Sequence, residues 1–302
     1  MSSVEARPLS STLAHDLLRL ARPKDWIKSV FILMPLPFAL ASGAQLDAAS
    51  LALGIAAMCL VCSAIYAVND VLDAERDRQS ARKRSRPVAA GRVSKQAALG
   101  AAAAWLAAGF ALGALSGHAG ALAVFSTYTA LNLLYSFGLK HVPLLDAFIL
   151  SSFYVLRVVL GCVLVDVVPS NWLLLCSSAL ALLIALGKRR GELMREAAAL
   201  ERPALQGYNR VYLDQAMGII GGVTLFSYAL YSLETPLLVP GRQFASLPFV
   251  AFGVLEYLRL AQVRGEGESP VDLLLRSPGL IVAGIGWVVA SLWSVGGATL
   301  LR

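Results

Sequence analysis

The sequence is short of charge. Asp, Glu, Lys and Arg make up 15% of its 302 residues, where a soluble domain carries roughly a quarter. Hydrophobic residues account for 57%, and the mean hydropathy is +0.67. Charge is missing in blocks: Ser29–Leu46, Ala48–Asn69, Val167–Gly187 and Ser277–Leu301 contain none. Blocks of about 20 residues are what an α-helix needs to cross a bilayer. Gln96–Leu139 is also uncharged but too long for one crossing, and Ser116-Gly117-His118-Ala119-Gly120 divides it as a turn. A water-soluble fold does not need so many uninterrupted apolar segments, so that class is excluded.

Other absences narrow the reading further. The first 25 residues lack the compact apolar core of a cleavable leader. Leu13, Leu17, Leu18 and Leu20, with Arg19 and Arg22 nearby, read instead as a short helix at the membrane interface. Of the four cysteines, Cys59 and Cys62 sit inside an apolar run, and Cys162 and Cys176 stand alone. No His or Cys accompanies them at the spacing of a metal site. They read as small buried hydrophobes. Histidine is scarce, and His141, beside the clusters described below, reads as incidental.

What remains is an all-α, polytopic integral membrane protein of about nine transmembrane helices. The expected spans are 26–44, 50–71, 97–115, 119–137, 143–165, 171–190, 212–233, 245–262 and 278–300, within one domain covering 1–302. Residues 1–24 form a cytoplasmic or interfacial N-terminus. Basic residues crowd alternate connections: Arg7, Arg19, Arg22, Lys24 and Lys28 before span one, then eight cations from Arg76 to Lys95. Lys188, Arg189, Arg190, Arg195, Arg202 and Arg210 join spans six and seven. The opposite connections carry only Arg242. By the positive-inside rule the N-terminus faces the cytoplasm and the C-terminus the far side. The net charge of +7 is therefore an orientation signal. A nucleic-acid partner would need a soluble basic domain, which the sequence does not offer.

Chemistry gathers at the inner ends of the spans. Span two closes on Tyr66-Ala67-Val68-Asn69-Asp70-Val71-Leu72-Asp73-Ala74-Glu75-Arg76-Asp77. At helical spacing Asp70, Asp73 and Asp77 fall within about 60° on one face, with Asn69 at its border. Carboxylates so close repel unless a cation lies between them. Oxygen-only donors suit Mg²⁺, which fills its shell with phosphate oxygens and water. A solvated helix end would account for Glu75 and Arg76, but not for acids alternating with Val71 and Leu72 at membrane depth. Lys83 and Arg86-Pro87 follow, suited to a phosphorylated ligand and also to anionic lipid. Further polar residues open or close other spans: Lys24, Lys28, Tyr135, Ser136, Lys140, Asp146, Lys188, Arg189, Glu192, Tyr208 and Asp214. Arg157 lies three turns into span five, where a charge is by default functional and a structural ion pair is its rival.

These residues carry a resemblance. Asn69-Asp70-x-x-Asp73-x-x-x-Asp77, with Lys83, Arg86-Pro87 and Gly91, resembles the first aspartate-rich motif of the UbiA superfamily of intramembrane prenyltransferases. Arg22-Pro23-x-x-Trp26 and Tyr135-Ser136-x-x-x-Lys140 fit as well. The decaprenyl-phosphate phosphoribosyltransferase branch is the most similar, through Arg22 to Lys28, Gly187 to Leu193, Gly207-Tyr208, Leu213-Asp214-Gln215 and Gly265-x-x-x-x-Pro270. The likeness runs from about residue 20 to 300. It implies nine helices around a cavity open to cytoplasm and lipid, and an active site at the cytoplasmic face of the inner membrane.

The superfamily usually carries a second Asp-x-x-x-Asp after span six for another Mg²⁺. This chain has Lys188-Arg189-x-x-Glu192 there. That departure favours phosphoribosyl pyrophosphate, whose 5-phosphate needs cations, over a prenyl diphosphate. The implied reaction moves 5-phosphoribose onto a polyprenyl phosphate for cell-envelope polysaccharide precursors, with Asn69, Asp70, Asp73 and Asp77 as metal ligands. Asp73 and Asp77 take the catalytic role. Lys24, Lys28, Tyr66, Lys83, Arg86, Tyr135, Lys140, Asp146, Arg157, Lys188, Arg189, Glu192 and Tyr208 are the substrate-binding candidates. The alternatives are prenyl transfer to an aromatic acceptor and a transporter or lipid-binding protein. Transporters, however, place polar groups near the midplane. Gly218-x-x-Gly221-Gly222 is compatible with contacts within one chain or between copies in an oligomer.

Overall fold

A computed structural model of the protein describes residues 13–194, 203–267 and 269–295. The expectations placed on Arg7, Arg195, Arg202 and the end of the last span lie outside these residues. Every regular element among the described residues is helical. Besides short 3-10 turns at Leu139–His141 and Pro203–Gly207, they are α1 (Leu13–Ala21), a 3-10 segment (Pro23–Leu33), α2 (Leu36–Ala41), α3 (Ala48–Leu72), α4 (Ala74–Gln79), α5 (Lys95–Leu115) and α6 (Ala119–Phe137). There follow α7 (Leu145–Leu164), α8 (Asn171–Leu193), α9 (Arg210–Glu234), α10 (Leu247–Gln262), α11 (Pro270–Arg276) and α12 (Pro278–Ser294).

The polar residues that flank the uncharged blocks act as helix caps. Asp47 Oδ1 accepts from the Ala49 and Ser50 amides at the start of α3. Ser94 starts α5, Ser170 α8, Asn209 α9 and Ser277 α12 in the same way. Each side chain satisfies an amide that the first helical turn leaves open.

Five helices (α3, α5, α7, α8 and α9) are long and apolar enough to cross a membrane, and α12 is apolar but shorter. Large apolar side chains stay exposed along them, as at Leu115, Ile219 and Phe226, which fits lipid and not water as the neighbour. Nine uninterrupted spans are not established. The expected first span, 26–44, is instead the 3-10 segment followed by α2. Pro35 and Pro37 remove two amides that a continuous α-helix would use. The 3-10 segment then runs close to α7 at Gly161, where a Cβ would collide with the Ile32 carbonyl.

The helices pack as two groups joined by α7. On one side α3 lies along α5 and against α6. On the other, α8 packs on α9, and α10 packs on α9 and α12. One core holds Met58, Val61, Phe125 and Leu160, and the other Leu183, Leu213, Met217 and Tyr257. α7 contributes to both, through Ile149 and Phe153 to the first and Tyr154 and Val158 to the second. A third cluster seats α1: Leu20 packs with Ala67, Val88 and Val93, and Arg92 Nε donates to the buried Asp16 at 2.9 Å.

Candidate active site

α3 carries Asn69 and Asp70 in its last turn and stops at Asp73, whose backbone (φ −92°, ψ 0°) leaves the helix before α4 begins. The single helix expected here is therefore broken. The acids still share one side, because the Asp73 amide bonds Asn69 O and the Asp77 amide bonds Asp73 O. Cations converge on them from other parts of the chain. Arg86 Nη1 lies 3.2 Å from Asp70 Oδ1 and 2.6 Å from Asp77 Oδ2. Arg22 also donates to Asp70 Oδ1. Lys140 Nζ donates to Asp73 Oδ1 at 2.8 Å, and the Ser136 hydroxyl to Asn69 Oδ1. Arg22 is held at φ 52°, unusual for a residue other than glycine. Its guanidinium spans Asp70 and the Tyr66 ring, 4.9 Å from the centroid. Burial raises the Asp77 carboxyl above the usual carboxylate range, against the pull of Arg86.

Exposure separates the three acids. The Asp70 and Asp77 side chains are 2% and 3% exposed, that of Asp73 27%. Among the described residues no three His, Cys, Asp or Glu side chains form a metal-holding group. An all-protein cage is thus not what this segment makes. It does fit a hard cation that keeps most of its shell in phosphate and water and leans on one or two carboxylates. The donors are oxygens, Asp73 is accessible, and the cations recorded on Asp70, Asp73 and Asp77 engage one oxygen of each.

The end of α8 inverts this arrangement. Arg189 is fully buried, with its Nε 2.6 Å from Asp146 Oδ2 and its Nη1 on Glu192. The Nε–H does not point along that line, so neither atom has a hydrogen-bond partner and charge attraction holds the pair. Arg189 Nη2 donates to the Tyr135 hydroxyl at 3.1 Å, and the Tyr208 hydroxyl donates to Asp146 Oδ1 at 2.7 Å. Burial and that acid hold the Tyr208 phenol above its ordinary range. Arg190 donates to Asp214 Oδ1 and to the Ala261 and Gln262 carbonyls, closing the end of α10. Arg189, Asp146, Glu192, Tyr135 and Tyr208, expected to bind substrate, are thus brought together and bonded to one another. Lys188 pairs with no carboxylate among the described residues, though the fields of Glu192, Arg189, Lys28 and Asp25 reach it.

Between the two helix ends lies the start of the 3-10 segment. Trp26 Nε1 donates to Ser63 Oγ of α3 at 3.0 Å. Lys28 Nζ pairs with Asp25 at 2.6 Å and stands 5.8 Å from the centre of the Tyr66 ring. Lys24 is exposed and outside this group. Lys83 contributes its field to Asp77. Arg157 is buried and pairs with no acid among the described residues, so the ion pair considered for it is not formed there. It donates to Phe153 O, Cys62 Sγ and the Tyr128 hydroxyl and stacks on Tyr128. A cavity of about 660 Å³ opens on the other side of the 3-10 segment, lined by apolar side chains of α2, α8, α9, α10 and α12, among them Phe38, Leu183, Tyr228 and Trp287.

In the sequence Arg22 and Asp25 stand in the segment that opens span one without a site role, and Tyr128 and Tyr154 do not stand out at all. Arg22 before proline at a span entrance was a usable signal. Mid-helix tyrosines give none.

The profile of the UbiA prenyltransferase family matches residues 29–260. The chain is 33% identical over 293 residues to the decaprenyl-phosphate phosphoribosyltransferase of Corynebacterium glutamicum, covering 94% of this chain and 87% of that one. It is 31% identical over 296 residues to the enzyme of the same name from Mycobacterium tuberculosis, covering 92% and 93%. A UbiA homologue from Archaeoglobus fulgidus, solved bound to GPP and Mg²⁺, shares the fold with a TM-score of 0.71 at 19% identity, covering 95% of this chain and 100% of that one.

Proposed function

The chain belongs to the UbiA prenyltransferase family, and from that membership we propose that it transfers 5-phosphoribose from phosphoribosyl pyrophosphate to a polyprenyl phosphate. Two relatives named decaprenyl-phosphate phosphoribosyltransferase, each matching more than nine-tenths of this chain, support the reading. The observation that carries it is the end of α8. Where the family's resemblance leads one to expect a second pair of metal-binding acids, Arg189 is locked to Asp146 and Glu192, and Lys188 stands beside them.

In this reaction a phosphate oxygen of the lipid attacks C1 of the ribose. The bond from C1 to the pyrophosphate oxygen breaks, and pyrophosphate leaves with the electron pair. A phosphate nucleophile is already ionised at neutral pH, so no general base is required. His141, which lies in the field of Lys140 and Asp73, is left without a required role. Asp73, with Asn69, Asp70 and Asp77 beside it, would hold Mg²⁺, which when bound supplies positive charge to the departing pyrophosphate. Lys140, Arg86 and Lys83 surround the same acids and fix an electropositive frame there, so that little reorganisation is needed when charge develops. Arg22 and Arg86 hold the buried Asp70. The site faces the cytoplasm at the inner membrane on this reading, where the phosphorylated donor is soluble, and its product feeds cell-envelope polysaccharide synthesis.

The test is direct. Purified protein receives a polyprenyl phosphate and labelled phosphoribosyl pyrophosphate, with and without Mg²⁺. Labelled lipid and free pyrophosphate, formed only with the metal, are the expected result. Turnover of a prenyl diphosphate onto an aromatic acceptor, with no labelled lipid, overturns it.

A further inference from the structure

Two guanidiniums reach Asp70 Oδ1, and both are tied to α1. Arg22 follows the end of α1 and donates to that oxygen directly. Arg86 Nη1 approaches it from the connection between α4 and α5. That connection contains two turns. The Ser80 carbonyl accepts from the Lys83 and Arg84 amides, and the Pro87 carbonyl from the Arg92 and Val93 amides. Ser85 lies between the turns, next to Arg86. Arg92 spans the join: its Nη2 donates to the Ser85 carbonyl at 2.8 Å, and its Nε to Asp16 Oδ1 of α1 at 2.9 Å. The Asp16 side chain is 3% exposed, and 76 residues separate it from Arg92 in the chain. Apolar packing already seats α1, through Leu20 against Ala67, Val88 and Val93. A buried ion pair adds little net stability over such packing. What this pair adds is direction: a planar fork with one prong on α1 and another on the backbone beside Arg86.

We propose that Asp16 and Arg92 are positioning residues for the acidic site: through the Ser85 carbonyl they hold the turn that places Arg86 on Asp70 and Asp77. Their action is indirect. Arg92 fixes the Ser85–Arg86 peptide, and Arg86 in turn meets the two acids at 3.2 and 2.6 Å. A turn released at Ser85 lets Arg86 leave those carboxylates, and their mutual repulsion returns. A diphosphate arriving with its metal then meets a frame that has to be reordered, and turnover carries that cost. The reaction affected rests on the phosphoribosyl-transfer reading; the coupling itself rests on the bonds that join Asp16, Arg92 and Ser85.

The experiment compares wild type, Arg92→Gln, Arg92→Lys and Asp16→Asn as full-length protein in nanodiscs. It reads the thermal melt, trypsin cleavage after Arg82, Lys83 and Arg84, binding of magnesium pyrophosphate, and kcat with KM for both substrates. Arg92→Gln should speed that cleavage about tenfold. It should also weaken pyrophosphate binding, lower kcat about tenfold to hundredfold and leave the acceptor KM unchanged. Arg92→Lys keeps a charge for Asp16 but cannot fork to the Ser85 carbonyl. Its melt should therefore stay near wild type while cleavage and kcat follow Arg92→Gln. Asp16→Asn retains an oxygen that accepts from Arg92 and should change kcat least. A lowered melt with wild-type cleavage and kcat would make the pair merely structural and overturns the proposal. An Arg92→Lys protein as protected and active as wild type overturns it too. If wild type transfers no phosphoribose, cleavage and pyrophosphate binding decide: loosening in Arg92→Lys keeps the positioning role while the proposed reaction falls, and unchanged protection sinks both. Should Arg92→Gln not fold, Arg92→Lys is read by the same criteria.

Discussion

The ends of α3 and α8 are opposites built by one rule. At the end of α3 three carboxylates from one segment are met by cations from elsewhere: Arg22, Arg86 and Lys140. At the end of α8 two guanidiniums from one segment are met by acids from elsewhere: Asp146 and Asp214, with Glu192 added locally. Each end leaves one group less committed than the rest, Asp73 in the first and Lys188 in the second. A cluster of like charge in sequence therefore reports where counter-charges will be gathered. It does not report how much charge is available to a ligand.

The comparison is broken most severely at Arg189. Replacing it with Met leaves Asp146, itself fully buried, without its cation and removes one partner of Glu192. Removing one partner of a buried pair costs about 3–5 kcal/mol, so a thermal melt in detergent should drop sharply. Adding Asp146→Asn should restore part of that loss, since the uncompensated buried charge is then removed. An unchanged melt in the single variant would mean that this network is not structural.

Asp73→Asn should do the reverse: the melt stays near wild type, and turnover falls at least about a hundredfold. Asp73 keeps a partly exposed side chain, and its ion pair with Lys140 is only partly buried. Unchanged turnover would remove the metal reading. A melting loss as large as that of Arg189→Met would show that the two ends are alike after all.

A smaller change refines the α8 network. Tyr208 donates to Asp146 and its hydroxyl accepts from the Leu144 amide, where the backbone is held at φ 64°. Tyr208→Phe removes both bonds and should cost about 1–2 kcal/mol in the same melt, with little effect on KM for either substrate. A selective rise in one KM would return Tyr208 to substrate contact.

Much of this architecture was legible in the uncharged blocks, because bilayer thickness and helix rise set their length. Pro35 and Pro37 carried a warning that the first span would not be one helix, yet hydropathy outweighed it. The acidic segment was legible because Asp70, Asp73 and Asp77 recur at helical spacing. The partners of those acids were not: Arg22 and Lys140 lie 48 and 67 residues away from them. Arg189 shows the same limit. Its residue type fitted phosphate binding, and only the packing of α7 against α8, which brings Asp146 to it, reveals that its charge is already matched.

Glu75 gives the weakest perturbation and the sharpest control. It lies inside the acidic segment, between Asp73 and Asp77, so composition alone gives it equal standing. Its carboxylate instead faces outward, with Arg78 Nη1 at 2.7 Å and Lys95 Nζ at 3.4 Å, all largely exposed. Exposed pairs of this kind contribute under about 1 kcal/mol and weaken further with salt. Glu75→Gln should therefore shift the melt by no more than that, leave Mg²⁺ dependence and both KM values unchanged, and lose even its small effect at high ionic strength. A turnover defect in Glu75→Gln approaching that of Asp73→Asn would mean that the acidic segment acts through its total charge. The distinction between one accessible carboxylate and its guanidinium-bound neighbours would then fall.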